Sequence, residues 1–366
     1  MAVEPETRNL DLIEEKVTSG ERLTFEDGLA LLGSNDLLRV GALADLARKR
    51  IAGDDVYFVN NRHINHTNVC GNRCKFCAFS ADEGAPDAYT MTLDEVLARA
   101  RESLSDGITE LHIVGGEHPS LPYEYYLEMI RALHDMDPSV HIQAFTASEI
   151  AFFAKRGKKT VGEVLQELKE AGLGSMPGGG AEIFSGRVRG IVCDKKISGD
   201  AWLDVMRQAH NAGIRSNATM LYGHVETHAE RIEHLIRLRE LQDETRGFGS
   251  FIPLAFHPAN TGLSGLPGPT GAEDLMMIAV SRLMLDNFRN IKAFWIMIGI
   301  KLAQISLHFG ANDIDGTVVE EKITHAAGAE TDEAIAKSEL IRLIREAGRV
   351  PVERDTLYNV VRRYED

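Results

Sequence analysis

What this chain lacks narrows it first. It has no run of about 18 apolar residues, the length a helix needs to cross a bilayer, and its first residues, MAVEPETRNLDLIEEK, lack a basic start followed by an apolar stretch. No membrane span or secretory signal is therefore expected, and a soluble, cytoplasmic protein is. Cysteine is scarce, four in 366 residues, and three of the four fall together. That makes a poor disulfide framework and suits a metal site in a reducing compartment. Positive charge is also short: 40 Lys and Arg stand against 55 Asp and Glu, a formal net charge of -15. Nucleic-acid binders gain affinity from clustered cations, so the expected partner is a small molecule and not a nucleic acid.

What is present is enough apolar material, 44% of the chain, to bury the core of an α/β barrel with additions. Residues 8 to 52 place Leu29, Leu32, Leu37, Leu38, Leu43 and Leu46 at helical period, with Thr24 as an N-cap and Gly53 as a stop. A helical extension is expected over 1–55. After it come short apolar or β-branched runs: DVYFVN, ITELHIVGG, VHIQAFTA, LGSMPGGG, IRSNATMLYG, FIPLAFHP, IKAFWIM and a weaker one near GANDIDG. Helix-period segments lie between them, such as TLDEVLARARESLSDG, where Thr92 and Glu95 form a capping box and Gly107 a stop; Thr160 and Glu163 repeat the box. The charged segment AERIEHLIRLRELQDE reads as a solvated helix face. Strands recurring with helices between them are right-handed βα units, and about eight of them close a barrel. The expected fold is a TIM-type barrel over 56–320, with 321–366 packing on it as helical and extended chain.

The cysteines carry the chemistry. Cys70, Cys74 and Cys77, in NVCGNRCKFCAFS, have CxxxCxxC spacing. Three thiolates can hold three corners of a four-iron cubane and leave the fourth iron open to a small ligand. A structural zinc knuckle would want paired CxxC units, and no second CxxC occurs. The next strand ends in VGGEHP, so Gly115, Gly116 and Glu117 should face the same mouth, because barrel enzymes gather functional residues at the C-terminal ends of their strands. Paired glycines let the backbone approach a ligand, and a carboxylate beside them accepts hydrogen bonds from an ammonium group. Without the cysteines, the glycines would mark only a turn.

With Phe76 before the last cysteine, this pattern resembles the radical S-adenosylmethionine (SAM) superfamily. The resemblance implies that Cys70, Cys74 and Cys77 hold a [4Fe-4S] cluster whose unique iron is chelated by the amino and carboxylate groups of SAM. It also implies that Phe76 lies against the adenine and that Gly115, Gly116 and Glu117 meet the methionine amine. A reduced cluster then passes one electron into the carbon–sulfur bond, giving methionine and a 5'-deoxyadenosyl radical, while the protein orients and shields. An electron donor such as flavodoxin or ferredoxin is implied.

A closer resemblance spans about residues 57 to 360. The segments NRHINHTNVCGNRCKFCAFS, SMPGGGAEIF, NATMLYGHVET, FIPLAFHPANT and LHFGANDIDGTVVEE resemble the aminofutalosine synthases of the futalosine route to menaquinone. PGGGAEI, YGHVE and GAND are shared with dehypoxanthine futalosine cyclase and deazaflavin-precursor enzymes, which stand as alternatives. NRCKFCAF, AFTASEI and FIPLAFHPANTGLSGLPGPTG lean toward the synthase. The reaction implied adds the adenosyl radical to the enolpyruvyl double bond of 3-[(1-carboxyvinyl)oxy]benzoate. Rearrangement and loss of a carboxyl group then give aminodeoxyfutalosine, with SAM consumed as co-substrate. Such a site must hold an anionic dicarboxylate at near-attack distance and exclude quenching groups.

Other strand ends supply further candidates. Ser148 and Glu149 follow VHIQAFTA, Glu182 follows PGGG, His224 follows NATMLYG and His257 follows FIPLAF. Glu182 or Glu149 could hold the ribose hydroxyls or the methionine portion of the cofactor, and His257 a substrate carboxylate. His224 and His257 are the catalytic candidates, though either could be a satisfied structural histidine. Arg62, Asn65, Thr67 and Asn68 flank the cysteine loop and could brace it or donate to the sulfurs. The run Gly178, Gly179, Gly180 lacks the Lys-Ser/Thr of a P-loop and reads as backbone crowding against adenosine. Cys193 reads as a surface or half-buried loop thiol. Outside radical chemistry the alternative is an iron-sulfur electron carrier, which normally has four protein ligands and no use for a Gly-Gly-Glu site.

Overall fold

The computed structural model describes residues 5–365. Three helices open it: α1 (Pro5–Ser19), α2 (Phe25–Leu32) and α3 (Leu37–Ala52). Thr24 caps α2 in a box closed by Asp27, and Gly53, at φ 60, ends α3 where a side chain would be strained. The chain continues through β1 (Asp55–Val59), β2 (Asn61–Ile64), α4 (Leu93–Leu104), β3 (Glu110–Ile113), α5 (Tyr123–Met136), β4 (His141–Ala144), α6 (Ala147–Gly157), α7 (Val161–Ala171) and β5 (Ser175–Met176). Next come α8 (Gly186–Val192), α9 (Gly199–Asn211), β6 (Arg215–Tyr222), α10 (His228–Thr245), β7 (Phe248–Ala255), α11 (Gly271–Met284) and β8 (Asn290–Ile291). The last elements are α12 (Trp295–Ile298), α13 (Ile300–Ser306), β9 (Asp313–Gly316), α14 (Ile323–Ala326), α15 (Lys337–Glu346), β10 (Val350–Arg354) and β11 (Val360–Arg363).

Strands β2 to β8 form a seven-stranded parallel sheet in chain order, with helices between successive strands, which is the α/β barrel expected. In place of an eighth strand, the segment 313–319 joins the two edges. Ala293 N donates to Asp313 O (2.8 Å) on the β8 side, and His63 N donates to Val319 O (3.0 Å) on the β2 side. Capping boxes at Thr92 and Thr160 start α4 and α7. The N-terminal helices do not line the barrel; α2 packs on α10 and α3 on α11. Among the described residues no helix is long and apolar enough to cross a membrane.

Three expectations are corrected. The run DVYFVN becomes β1, which leaves the barrel and joins a second sheet ordered β11-β10-β1-β9; GANDIDG, as β9, pairs with β1 there and keeps its place in the barrel beside β8. The barrel's first strand is instead NRHI. It escaped notice because it is polar: His63 faces the interior, and Arg62 turns outward to Ser103, Glu102 and Glu320. Helix α4 ends at Leu104, and Gly107, at φ 67, carries the turn beyond it. Helix α10 is no solvated rod, since Ile232, Leu235, Leu238, Leu241, Arg231, His234, Arg239 and Gln242 are all buried between the barrel and α2.

Candidate active site

The cysteine loop leaves β2 and is shaped by its own polar side chains. Thr67 Oγ1 donates to Tyr89 O (2.8 Å), Asn68 Nδ2 donates to Asp87 O (2.9 Å) and Asn65 Nδ2 donates to Val114 O (3.0 Å). With Cys70 N donating to Ala81 O (3.1 Å), these bonds pin an irregular segment that no helix or sheet could satisfy. Asn65, Thr67 and Asn68 thus brace the loop through backbone carbonyls, while Arg62 points away from it.

Gly115, Gly116 and Glu117 follow β3 and pack on that loop. Gly116 N donates to Thr67 O (2.9 Å), and Gly71 N donates to Glu117 O (3.1 Å). A Cβ on Gly116 would lie 2.2 Å from Val69 O, and one on Gly115 2.4 Å from the His66 ring. The glycines are therefore required by the chain's own close approach. His66 is sealed beneath them with neither ring nitrogen paired to any described residue, and burial lowers its pKa to about 3. The Glu117 carboxyl accepts a 2.5 Å bond from Ser148 Oγ, and burial holds its pKa above the usual range. Glu149 lines the same wall but is already committed: it accepts from Gly115 N (3.1 Å), Thr146 N (2.7 Å) and Thr146 Oγ1 (2.8 Å), and burial pushes it up to about 7. It caps α6 and ties the glycine pair to it.

Beside the cysteine loop, Glu182 pairs with Lys196 at 2.7 Å, and the Lys196 ammonium stands 5.4 Å from the centre of the Phe76 ring. Burial alone would raise Glu182, but the Lys196 cation keeps its pKa below the ordinary carboxylate value. The glycine run beside it is crowded by protein: a Cβ on Gly178 would lie 2.7 Å from the Ala218 carbonyl carbon, and Gly179 O accepts from Trp202 Nε1 (3.0 Å).

A polar interior layer below these groups was missed in the sequence. His63, His112 and Gln143 are register partners on β2, β3 and β4. The two imidazoles stack at 4.5 Å, and His112 Nδ1 lies 3.0 Å from Gln143 Oε1. Burial lowers both histidines, so they are neutral. Lys292 Nζ meets Asp315 Oδ1 at 2.9 Å, and Glu110 accepts from Asn61 Nδ2 (3.1 Å). The available signal was a polar residue in the same register of three successive parallel strands, where both faces are normally apolar.

One histidine and one thiol depart from expectation, and a second histidine lines the cavity with one ring proton engaged. His224 does not line the cavity. Its ring is tucked into its own turn, accepting from Val225 N (2.7 Å) and meeting Leu221 O (3.1 Å) and Glu226 (2.9 Å). His257 does line the cavity, but its Nε2 donates to Met297 O (2.9 Å) and burial lowers its pKa. The remaining Nδ1 is then an acceptor, which does not suit a carboxylate. Cys193 is buried at the end of α8, and burial raises its pKa to about 11.

Cys70, Cys74 and Cys77 are free thiols on one cavity wall, together with Phe76, Gly115, Gly116, Glu117 and Ser148. No three His, Cys, Asp or Glu side chains among the described residues close on a single metal ion. Burial pushes Cys74 up to about 12 and raises Cys70 as well. Iron deprotonates a coordinating thiol outright and would remove that penalty. The residues present fit a group that three thiolates would hold, with the Glu117 carboxyl lining the same cavity.

A family model described as the radical SAM superfamily matches residues 64–238, and one described as the CofH/MqnC C-terminal region matches 245–365. The chain is 49% identical to the aminodeoxyfutalosine synthase of Thermus thermophilus, over 96% of this chain and 95% of that protein. It belongs to the radical SAM superfamily. This superfamily uses a [4Fe-4S] cluster and SAM, so the chain is a radical SAM enzyme. Other relatives are the aminodeoxyfutalosine synthase of Streptomyces coelicolor, 45% identical over 96% of this chain and 94% of the relative, and a differently named enzyme. That one is the 5-amino-6-(D-ribitylamino)uracil–L-tyrosine 4-hydroxyphenyl transferase of Methanopyrus kandleri, 44% identical over 92% of each chain. Among solved structures, methylornithine synthase superposes with a TM-score of 0.73 at 21% identity, covering 93% of this chain and 97% of that one. The [FeFe]-hydrogenase maturase HydG of Carboxydothermus hydrogenoformans gives 0.73 at 16%, covering 96% and 81%. These two share the fold.

Proposed function

We propose that the protein is an aminodeoxyfutalosine synthase, joining the adenosyl portion of SAM to an aromatic enolpyruvyl ether dicarboxylate. The observation that carries this is the placing of the stretches that lean toward the synthase. NRCKFCAF supplies Cys74, Phe76 and Cys77, AFTASEI supplies Ser148 and Glu149, and FIPLAFHPANTGLSGLPGPTG supplies His257, all lining one cavity. When bound, the cluster and SAM supply a carbon-centred adenosyl radical. Cys70, Cys74 and Cys77 would hold three irons. Glu117, fixed by Ser148, would receive the methionine ammonium, with Phe76 against the adenine. The interior layer then takes the substrate. Lys292 keeps two of its three ammonium protons free of Asp315 and is the cation best placed to hold a carboxylate, a role His257 was expected to fill. Leu221, Ile252, Leu254, Phe256 and Phe294 line the remainder and exclude water from the radical. A flavodoxin or ferredoxin is the electron source this reading requires.

The test is anaerobic reconstitution, reduction in the presence of SAM, and incubation with 3-[(1-carboxyvinyl)oxy]benzoate, with products read by mass. An adenosine-bearing decarboxylated adduct is expected. Cleavage of SAM without that adduct, combined with turnover of 5-amino-6-(D-ribitylamino)uracil and tyrosine, would transfer the chain to the archaeal transferase activity.

A further inference from the structure

A second cavity opens at the opposite, N-terminal end of the barrel strands, and three arginines stand at its rim. Arg215 opens β6, Arg246 follows α10 just before β7, and Arg289 immediately precedes β8. β6, β7 and β8 are hydrogen-bonded neighbours, with Ser216 opposite Phe248 and Ser250 opposite Asn290. Adjacent strands lie about 4.8 Å apart, so the three guanidinium groups share one opening. All three are exposed, and none makes a side-chain hydrogen bond or ion pair with any described residue.

In a chain with 55 acidic residues and a net charge of -15, Arg22, Arg39, Arg231, Arg354 and Arg363 have carboxylate partners, whereas these three have none among the described residues and share one opening. A cation at a helix C-terminus accounts for Arg246 alone; Arg215 begins a strand and Arg289 lies in a loop. The acidic group on the same wall, Asp243, is already taken by Arg22 at 2.5 and 3.0 Å and by Asn287 at 2.7 Å. Deeper in the cavity the Tyr57 hydroxyl has no hydrogen-bond partner among the described residues. The floor includes Asn217 and Gln143, which also line the reaction cavity on their other side; Asn217 Nδ2 lies 3.5 Å from Gln143 Oε1. One layer of neutral amides therefore separates the two chambers.

We propose that this N-terminal-end cavity binds a small oxyanion, carboxylate or phosphate, through Arg215, Arg246 and Arg289. Guanidinium groups present forked donors that match both anions. The site is independent of the reaction assigned above and stands or falls separately from it. The experiment is calorimetric titration of the full chain at low ionic strength with inorganic phosphate and, separately, with malonate. The proteins are the wild type, R215Q/R246Q/R289Q and the charge control R342Q. Saturable binding of at least one probe is expected, weakened roughly tenfold or more in the triple variant and unchanged in R342Q. It should also weaken as salt is added. Phosphate alone would identify a phosphate site, malonate alone a carboxylate site, and both a general oxyanion site. The altered side chains are exposed, so the triple variant should unfold at the wild-type temperature within a few degrees. Absence of saturation by either probe up to tens of millimolar, or wild-type affinity in the triple variant, overturns the proposal.

Discussion

Gly115 and Gly116 offer a paired test of how the cofactor wall is built, because an alanine at each would meet a different kind of obstacle. Neither glycine has a positive φ, so alanine adds no backbone strain and the whole effect is steric. At Gly116 the new methyl would stand 2.2 Å from Val69 O, well inside the 3.4 Å of ordinary contact, and the obstacle is main chain held by the cysteine loop. At Gly115 it would stand 2.4 Å from His66 Cε1, a side chain that can be removed. Overpacking of this kind costs about 1 to 3 kcal/mol. A displacement of about 1 Å in a positioned site costs on the order of a hundredfold in rate. His66→Ala should therefore rescue Gly115→Ala, with a favourable coupling of about 1 to 3 kcal/mol, and should leave Gly116→Ala uncorrected. The measurements are urea unfolding of the three single and two double variants, iron content after anaerobic reconstitution, and SAM affinity by calorimetry. Full iron loading and wild-type SAM affinity in Gly116→Ala would refute the reasoning, as would additive energies for the Gly115→Ala and His66→Ala pair.

Cys74→Ala should reconstitute without a stable cluster and without SAM cleavage, whereas Glu117→Gln should retain iron and bind SAM more weakly; iron analysis and calorimetry separate the two. Glu149 has a folded-state pKa of about 7 against an ordinary 4.5. It therefore contributes stability that is complete below pH 4.5 and lost as pH rises through 7, about 3 kcal/mol in all. Glu149→Gln should flatten the difference in unfolding free energy between pH 5 and pH 8, and an unchanged profile would show that the burial penalty is not real. Lys292→Met leaves Asp315 buried without its cation and should destabilise by about 3 to 5 kcal/mol. Adding Asp315→Asn should recover much of that loss in urea unfolding, while substrate binding stays lost in both.

The short-range signals were legible because they are written in adjacent residues. The CxxxCxxC loop, the Gly-Gly-Glu strand end and the Thr92–Glu95 and Thr160–Glu163 capping boxes each depend on spacings within one turn or one loop, and each lies where the spacing puts it. The alternation of strands and helices likewise determined the barrel. Less visible were strands whose inward side chains are polar. NRHI carries His63 into the cavity, so the apolar pattern that marks a strand is missing there, and the stronger run DVYFVN just before it reads as the barrel edge.

What the sequence alone determined was the class of chemistry, since three thiols in one short loop stay together on one wall however the rest of the chain runs. Only the tertiary structure decided which polar groups remain available. It committed Glu149 to Gly115 and Thr146, turned His224 into its own loop, used the Nε2 proton of His257 on Met297 O, and stacked His63 on His112 through strand register. Those outcomes depend on which carbonyls and amides arrive beside a side chain from residues remote in sequence. A buried polar group binds whatever partner the fold delivers, and that partner is not encoded in its neighbours along the chain.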